Sequence, residues 1–103
     1  MKEIHLDKPI RAAGKTLNTI TVRPSTVGDE EDAQAMAVDM GRPFVALTAE
    51  MCLFSVLTEV SYDDLRALST PDYEKLRKAY NEVNRARPTR PVEEANDDQP
   101  ATN

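Results

Sequence analysis

At 103 residues, with 13 basic against 18 acidic side chains and a net charge of −5, the chain is at most one small domain with a modest core. The acidic balance disfavours a phosphate backbone or an anionic membrane surface as its main partner. A single cysteine, Cys52, rules out an intrachain disulfide, and a single histidine, His5, argues against a metal site.

Ile4, Leu6 and Ile10 are separated mostly by polar residues, and Ile20 and Val22 alternate with Thr19, Thr21 and Arg23. That period of two predicts two antiparallel strands, at roughly 3–9 and 17–23. Arg11 to Lys15 reads as their connection, with Gly14 free to take positive φ, and Pro9 belongs on an edge. Such a hairpin is marginal alone, so it has to pack on helices or pair with another subunit. Pro24 ends the second strand. Thr26 then suits an N-cap, with Asp29 as its capping-box partner and Glu30, Glu31 and Asp32 adding favourable charge to the helix start. Ala33, Met36, Ala37 and Met40 form one narrow apolar stripe, which Gly41 and Pro43 terminate.

The second predicted helix runs from Phe44 to about Glu59 and is apolar on almost every side, with Glu50 the one charge between Phe44 and Thr58. Such a helix is either wrapped by the rest of the chain or buried in part by another molecule. Ser61 with Asp64 opens a short helix from Tyr62 to Ala67. Thr70 and Pro71 open a last one, reaching about Arg85, with Tyr73, Leu76, Tyr80 and Val83 along one face. The stretch 87–103 is polar, rich in proline and expected to be disordered. The fold class is therefore α+β: an N-terminal two-stranded antiparallel hairpin, then three to four helices in a single domain over 1–86.

The composition offers no catalytic set. There is no nucleophile with a base and an orienting partner, no glycine-rich phosphate loop, and no apolar run long enough to cross a bilayer. Asp29 to Asp32 read as an exposed helix start rather than a cation site. A non-enzyme is expected, with no cofactor and no metal. The acidic start of the first helix (Glu30, Glu31) and the basic last helix (Lys75, Arg77, Lys78) suggest head-to-tail self-association.

Four segments in order carry a resemblance: Thr21-Val22-Arg23-Pro24-Ser25-Thr26-Val27-Gly28-Asp29, then Ala49-Glu50-Met51-Cys52-Leu53-Phe54-Ser55-Val56-Leu57-Thr58, then Tyr62-Asp63-Asp64-Leu65-Arg66-Ala67-Leu68, then Asp72-Tyr73-Glu74-Lys75-Leu76. Their order and spacing, over roughly residues 3–84, resemble the tail assembly chaperones of Mu-like prophages and related phages with contractile tails. The resemblance implies a non-catalytic chaperone in the host cytoplasm. It would bind the tape measure protein, keep it soluble while tail tube protein assembles around it, and be absent from the mature virion. It also implies a longer, frameshifted form of the chain as a partner. A chaperone for an apolar helical client needs exposed apolar surface, preferably adaptable methionine. Met36, Met40, Phe44, Leu47, Met51 and Phe54 are the candidates. The alternative reading is a small acidic inhibitor or nucleic-acid mimic, which calls for carboxylates spread over one continuous surface. A third, a DNA-binding module on Ser61–Val83, conflicts with the acidic Tyr62-Asp63-Asp64 start.

Overall fold

The structure, a computed structural model, describes residues 1–85; the tail expected at 87–103 lies outside the described residues. It is α+β, with an N-terminal hairpin of β1 (Lys2–Ala12) and β2 (Lys15–Val22) followed by four helices: α1 (Val27–Asp39), α2 (Ala46–Thr58), α3 (Tyr62–Leu65) and α4 (Thr70–Arg85).

Both strands run further toward their connection than the sequence suggests. Ala12 sits opposite Lys15, so the turn is only Ala13-Gly14, with φ of 51° and 78°. Two central residues at positive φ make the tight hairpin turn whose twist matches that of the strands. Gly14 takes this conformation freely, whereas Ala13 is held in it against its own preference.

The pairing is broken midway. Between the pairs His5–Thr19 and Ile10–Leu17, β1 advances five residues while β2 advances two. Pro9, with no N–H to donate, sits in that irregular stretch. The backbone amides exposed by the break are met from outside the sheet. The Asp72 carboxylate accepts the N–H of Asp7 at 2.9 Å and of Lys8 at 3.0 Å. Lys75 Nζ donates to the His5 carbonyl at 2.9 Å and to Asp7 Oδ1 at 3.0 Å. Asp72 is fully buried, and it is the third residue of α4. Its helix is capped by Ser69, whose hydroxyl accepts the Asp72 N–H at 3.3 Å, so the cap lies one residue before the expected Thr70.

A parallel arrangement ties the other strand to α1. Thr26 and Asp29 form the expected capping box. Asp29 also takes both terminal nitrogens of Arg23, at 2.7 and 2.9 Å, just beyond the end of β2. A planar two-point ion pair of this kind fixes direction as well as distance. The helix ends at Gly41 (φ 67°) with Gly41 N–H on Val38 O and Arg42 N–H on Ala37 O, both 3.0 Å, a Schellman motif.

The core gathers Ile4, Leu6 and Ile10 of β1, Ile20 and Val22 of β2, Ala33 and Ala37 of α1, Cys52, Phe54 and Leu57 of α2, Leu65 of α3 and Leu76 of α4. Phe54 is at its centre, with the rings of Tyr73 and Tyr80 at 5.6 and 5.3 Å in tilted contact. The α2 helix closes on Glu59 at φ 61°. There the Ser55 hydroxyl donates to Val60 O at 2.7 Å and the Thr58 hydroxyl accepts the Val60 N–H at 3.2 Å.

Burial opposes ionisation of Asp72, but the amides of Asp7 and Lys8, the Ser69 hydroxyl and Lys75 outweigh it and hold its carboxyl below the usual value of 3.8. A depressed folded-state value adds stability above the unfolded-state value, and that stability is lost as pH falls through the folded one. Asp72→Asn, which leaves one strand amide without an acceptor, should cost about 1–3 kcal/mol at neutral pH in chemical denaturation. The gap between variant and wild type should narrow as pH falls below about 4. Parallel curves across that range would show that the charge of Asp72 does not hold the strand.

Candidate protein-binding site

No side chain in the connection from α1 to α2 can cap the second helix. Residues 41–45 read Gly-Arg-Pro-Phe-Val, and Val45, the N-cap, offers its first-turn amides no side-chain acceptor. The start of α2 is uncovered as well as uncapped. Its apolar residues lie outside: Phe44 is 48% exposed, Val45 58% and Leu47 55%, with Val38 of the last α1 turn at 77%. Exposed apolar residues occurring singly are ordinary, but several at one helix start form a surface with a cost in water.

Two grooves border this start. Leu47 lines one of about 380 Å³ between α2, α3 and α4, whose lining includes Met51, Leu65, Leu68 and Tyr73. Phe44 lines a second of about 290 Å³ between α1, α2 and α4, with Ala33, Leu53 and Tyr80. Glu50, the one charge of α2, lines the second groove and is satisfied by α4. It accepts Arg77 Nε at 3.1 Å, Arg77 Nη2 at 2.9 Å and the Tyr73 hydroxyl at 2.7 Å, while Arg77 Nη1 holds Glu74 at 2.7 Å. Burial works against its charge, yet Arg77 and Tyr73 together keep its carboxyl below the ordinary range. Burial, reinforced by Glu50, pushes the Tyr73 hydroxyl well up. The network fixes α2 to α4 and presents no free nucleophile or base.

The six residues anticipated as one binding face do not share a surface. Phe44 and Leu47 are exposed, Met36 and Met40 are half-buried against the core, and Met51 and Phe54 are buried within it. The reason is that α2 changes environment along its length and not around its circumference. Its second half is the core helix, and its first turn projects beyond the helices that cover it. Val45 and Val38 extend the exposed set, and the missing cap before Ala46 is the sequence signal for it. Of the charges anticipated for self-association, Lys75 is bound to Asp7 and Arg77 to Glu50 and Glu74, whereas Glu30, Glu31 and Lys78 are exposed. Cys52 is buried, which raises its thiol pKa, and it serves as a small core residue. Among the described residues no group of His, Cys, Asp and Glu side chains is arranged to hold a metal ion, and no helix is long and apolar enough to cross a membrane.

The family model for phage tail assembly chaperone proteins, E, or 41 or 14, matches residues 3–85, and the chain belongs to that family. Neither a curated protein nor a solved structure matches it.

Surface and core residues of α2 should separate cleanly in stability. Phe44→Ser and Leu47→Ser should shift unfolding free energy by no more than about 0.5 kcal/mol, as for exposed sites. Phe54→Ala should remove about 3–5 kcal/mol. A loss of more than about 2 kcal/mol from Leu47→Ser would place that residue in the core instead.

Proposed function

We propose that this member of the phage tail assembly chaperone family binds the tape measure protein in the host cytoplasm, keeps it soluble until the tail tube assembles, and is released before the virion is complete. The observation that carries this reading is the exposed apolar start of α2, Phe44, Val45 and Leu47, with grooves on both sides. A helical client displays an apolar stripe that no other part of its own chain covers. An apolar helix end flanked by two grooves is the kind of surface such a stripe can cover. The role is one of binding, without catalysis and without a cofactor. The tail tube protein and a longer form of this chain are further partners on this reading.

The surface is modest and its neighbouring grooves are shallow, which suits a client that must later be given up. A few apolar anchors carry most of the energy in such contacts, so removing two of them is a severe test. Co-expression with the tape measure protein should keep that client in the soluble fraction and in complex with the chain. The double variant Phe44→Asp, Leu47→Asp should fold normally and weaken the complex tenfold or more, by about 1.4 kcal/mol at least. A client that aggregates beside wild-type chain would contradict the role. A client held equally well by the double variant would contradict the surface.

A further inference from the structure

The two strands of the hairpin are protected unequally. β1 carries Pro9 and the register break, and its backbone groups at His5, Asp7 and Lys8 are bonded by Lys75 and Asp72 of α4. Beyond Lys15, β2 has none of these devices. From Thr16 to Val22 it reads Thr-Leu-Asn-Thr-Ile-Thr-Val, without charge, proline or glycine. Among the described residues it pairs with β1 alone, so its other edge has no strand partner. Edge strands are normally guarded by lysine, proline, a bulge or a cover, and an unguarded one is a template for a further strand. A groove of about 530 Å³ follows this strand, with Leu17 and Thr19 on one wall and Val60 and Ser61 at the α2–α3 corner on the other.

We propose that β2 is the contact through which two copies of this chain associate, antiparallel about a two-fold axis at Asn18, to make one four-stranded sheet. The strand is suited to its own copy. Antiparallel pairing about Asn18 sets no charge against its like, and it places Thr16 across from Ile20 and Leu17 across from Thr19, acceptable cross-strand partners. It also carries Lys15 at the start of each β2 to the Val22 end of the other. Glu59 stands there, lining the same groove and close enough to Arg23 for their charges to interact. Arg23 is itself neutralised by Asp29, so Lys15 meets net negative charge at that end. The contact is two-fold and closes on itself, giving a dimer and not a filament. It also relieves a two-stranded sheet of its marginal size. The surface lies on a different part of the chain from Phe44 and Leu47, so the pairing stands or fails independently of the client.

Sedimentation equilibrium on the full chain tests this with Asn18→Lys and Asn18→Asp, each placing like charges near the two-fold. Wild type should show twice the chain mass. Each variant alone should fall to the mass of one chain with unchanged circular dichroism, and an equimolar mixture of the two should return to the doubled mass. A folding defect would not be repaired by mixing. Wild type at single-chain mass at every concentration reached, or a dimer indifferent to both substitutions, would overturn the proposal. Amide exchange gives a reading free of substitution: β2 amides should gain protection as wild-type concentration rises. Protection that appears only when the tape measure protein is added would overturn self-pairing and assign the edge to an extended segment of that client.

Discussion

One buried carboxylate joins the first strand to the last described helix and, through that helix, fixes the place of α2. The break in β1 leaves the amides of Asp7 and Lys8 without partners in β2. Asp72 satisfies both from the first turn of α4 and is itself fully buried in doing so. The two sides support each other: without Asp72 the strand amides lose their acceptors, and without the amides the buried carboxylate keeps Lys75 as its ion-pair partner, at 3.5 Å. The consequence is a rigid joint between the N-terminal strand and the C-terminal helix, 64 and 65 residues apart in the chain. With α4 placed, Tyr73 and Tyr80 close over Phe54, and Arg77 reaches Glu50, so α2 is located in turn.

That joint lets α2 be two things at once. Its second half is held by Cys52, Phe54 and Leu57 in the core. Its first turn has neither a cap nor a covering element, and it exposes Phe44, Val45 and Leu47. A small domain has little stability in reserve, so exposing apolar residues on an otherwise loose scaffold would invite aggregation. Here the exposed turn is fixed to a half-helix anchored by the buried Met51, Cys52, Phe54, Ser55 and Leu57. This division of one helix into anchor and contact is consistent with a chaperone whose own fold has to persist while its client is unfolded or unassembled.

Much of this was legible in the sequence, and the failures have physical causes. The α+β class and the order of hairpin and helices follow from periodicity and from the stops at Pro24, Gly41 and Pro43. The pattern Ser/Thr-x-x-Asp occurs at Thr26–Asp29, Ser61–Asp64 and Ser69–Asp72. Read locally, each announces a helix start, and each hydroxyl does accept the amide three residues on. What the aspartate then does is not local. Asp29 completes its capping box and also binds Arg23, while Asp72 leaves its helix for β1. No spacing rule reveals that choice, because it depends on a register break whose partner is most of the chain away. The connection read at Arg11–Lys15 holds the turn, with Gly14 at positive φ, but is drawn too wide, because Ala13 is a poor residue for positive φ and gives no sign of how tight the turn is. The six apolar candidates divide between surface and core because a helical stripe records which residues are apolar, and not where along the axis the covering elements end. Met51 and Phe54 share that stripe with Leu47, yet only Leu47 lies in the uncovered first turn.

The most direct test of the account is amide hydrogen exchange of the chain free and bound to the tape measure protein. Slow exchange should be found in both states for α4 and for Asp7 and Lys8, whose donors meet Asp72. Protection gained on binding should centre on the first turn of α2, from Ala46 to Ala49, where no side chain caps the helix. Protection gained at β1 and α4 with none at the start of α2 would contradict it, since the supposed rigid anchor would then be the surface that the client orders.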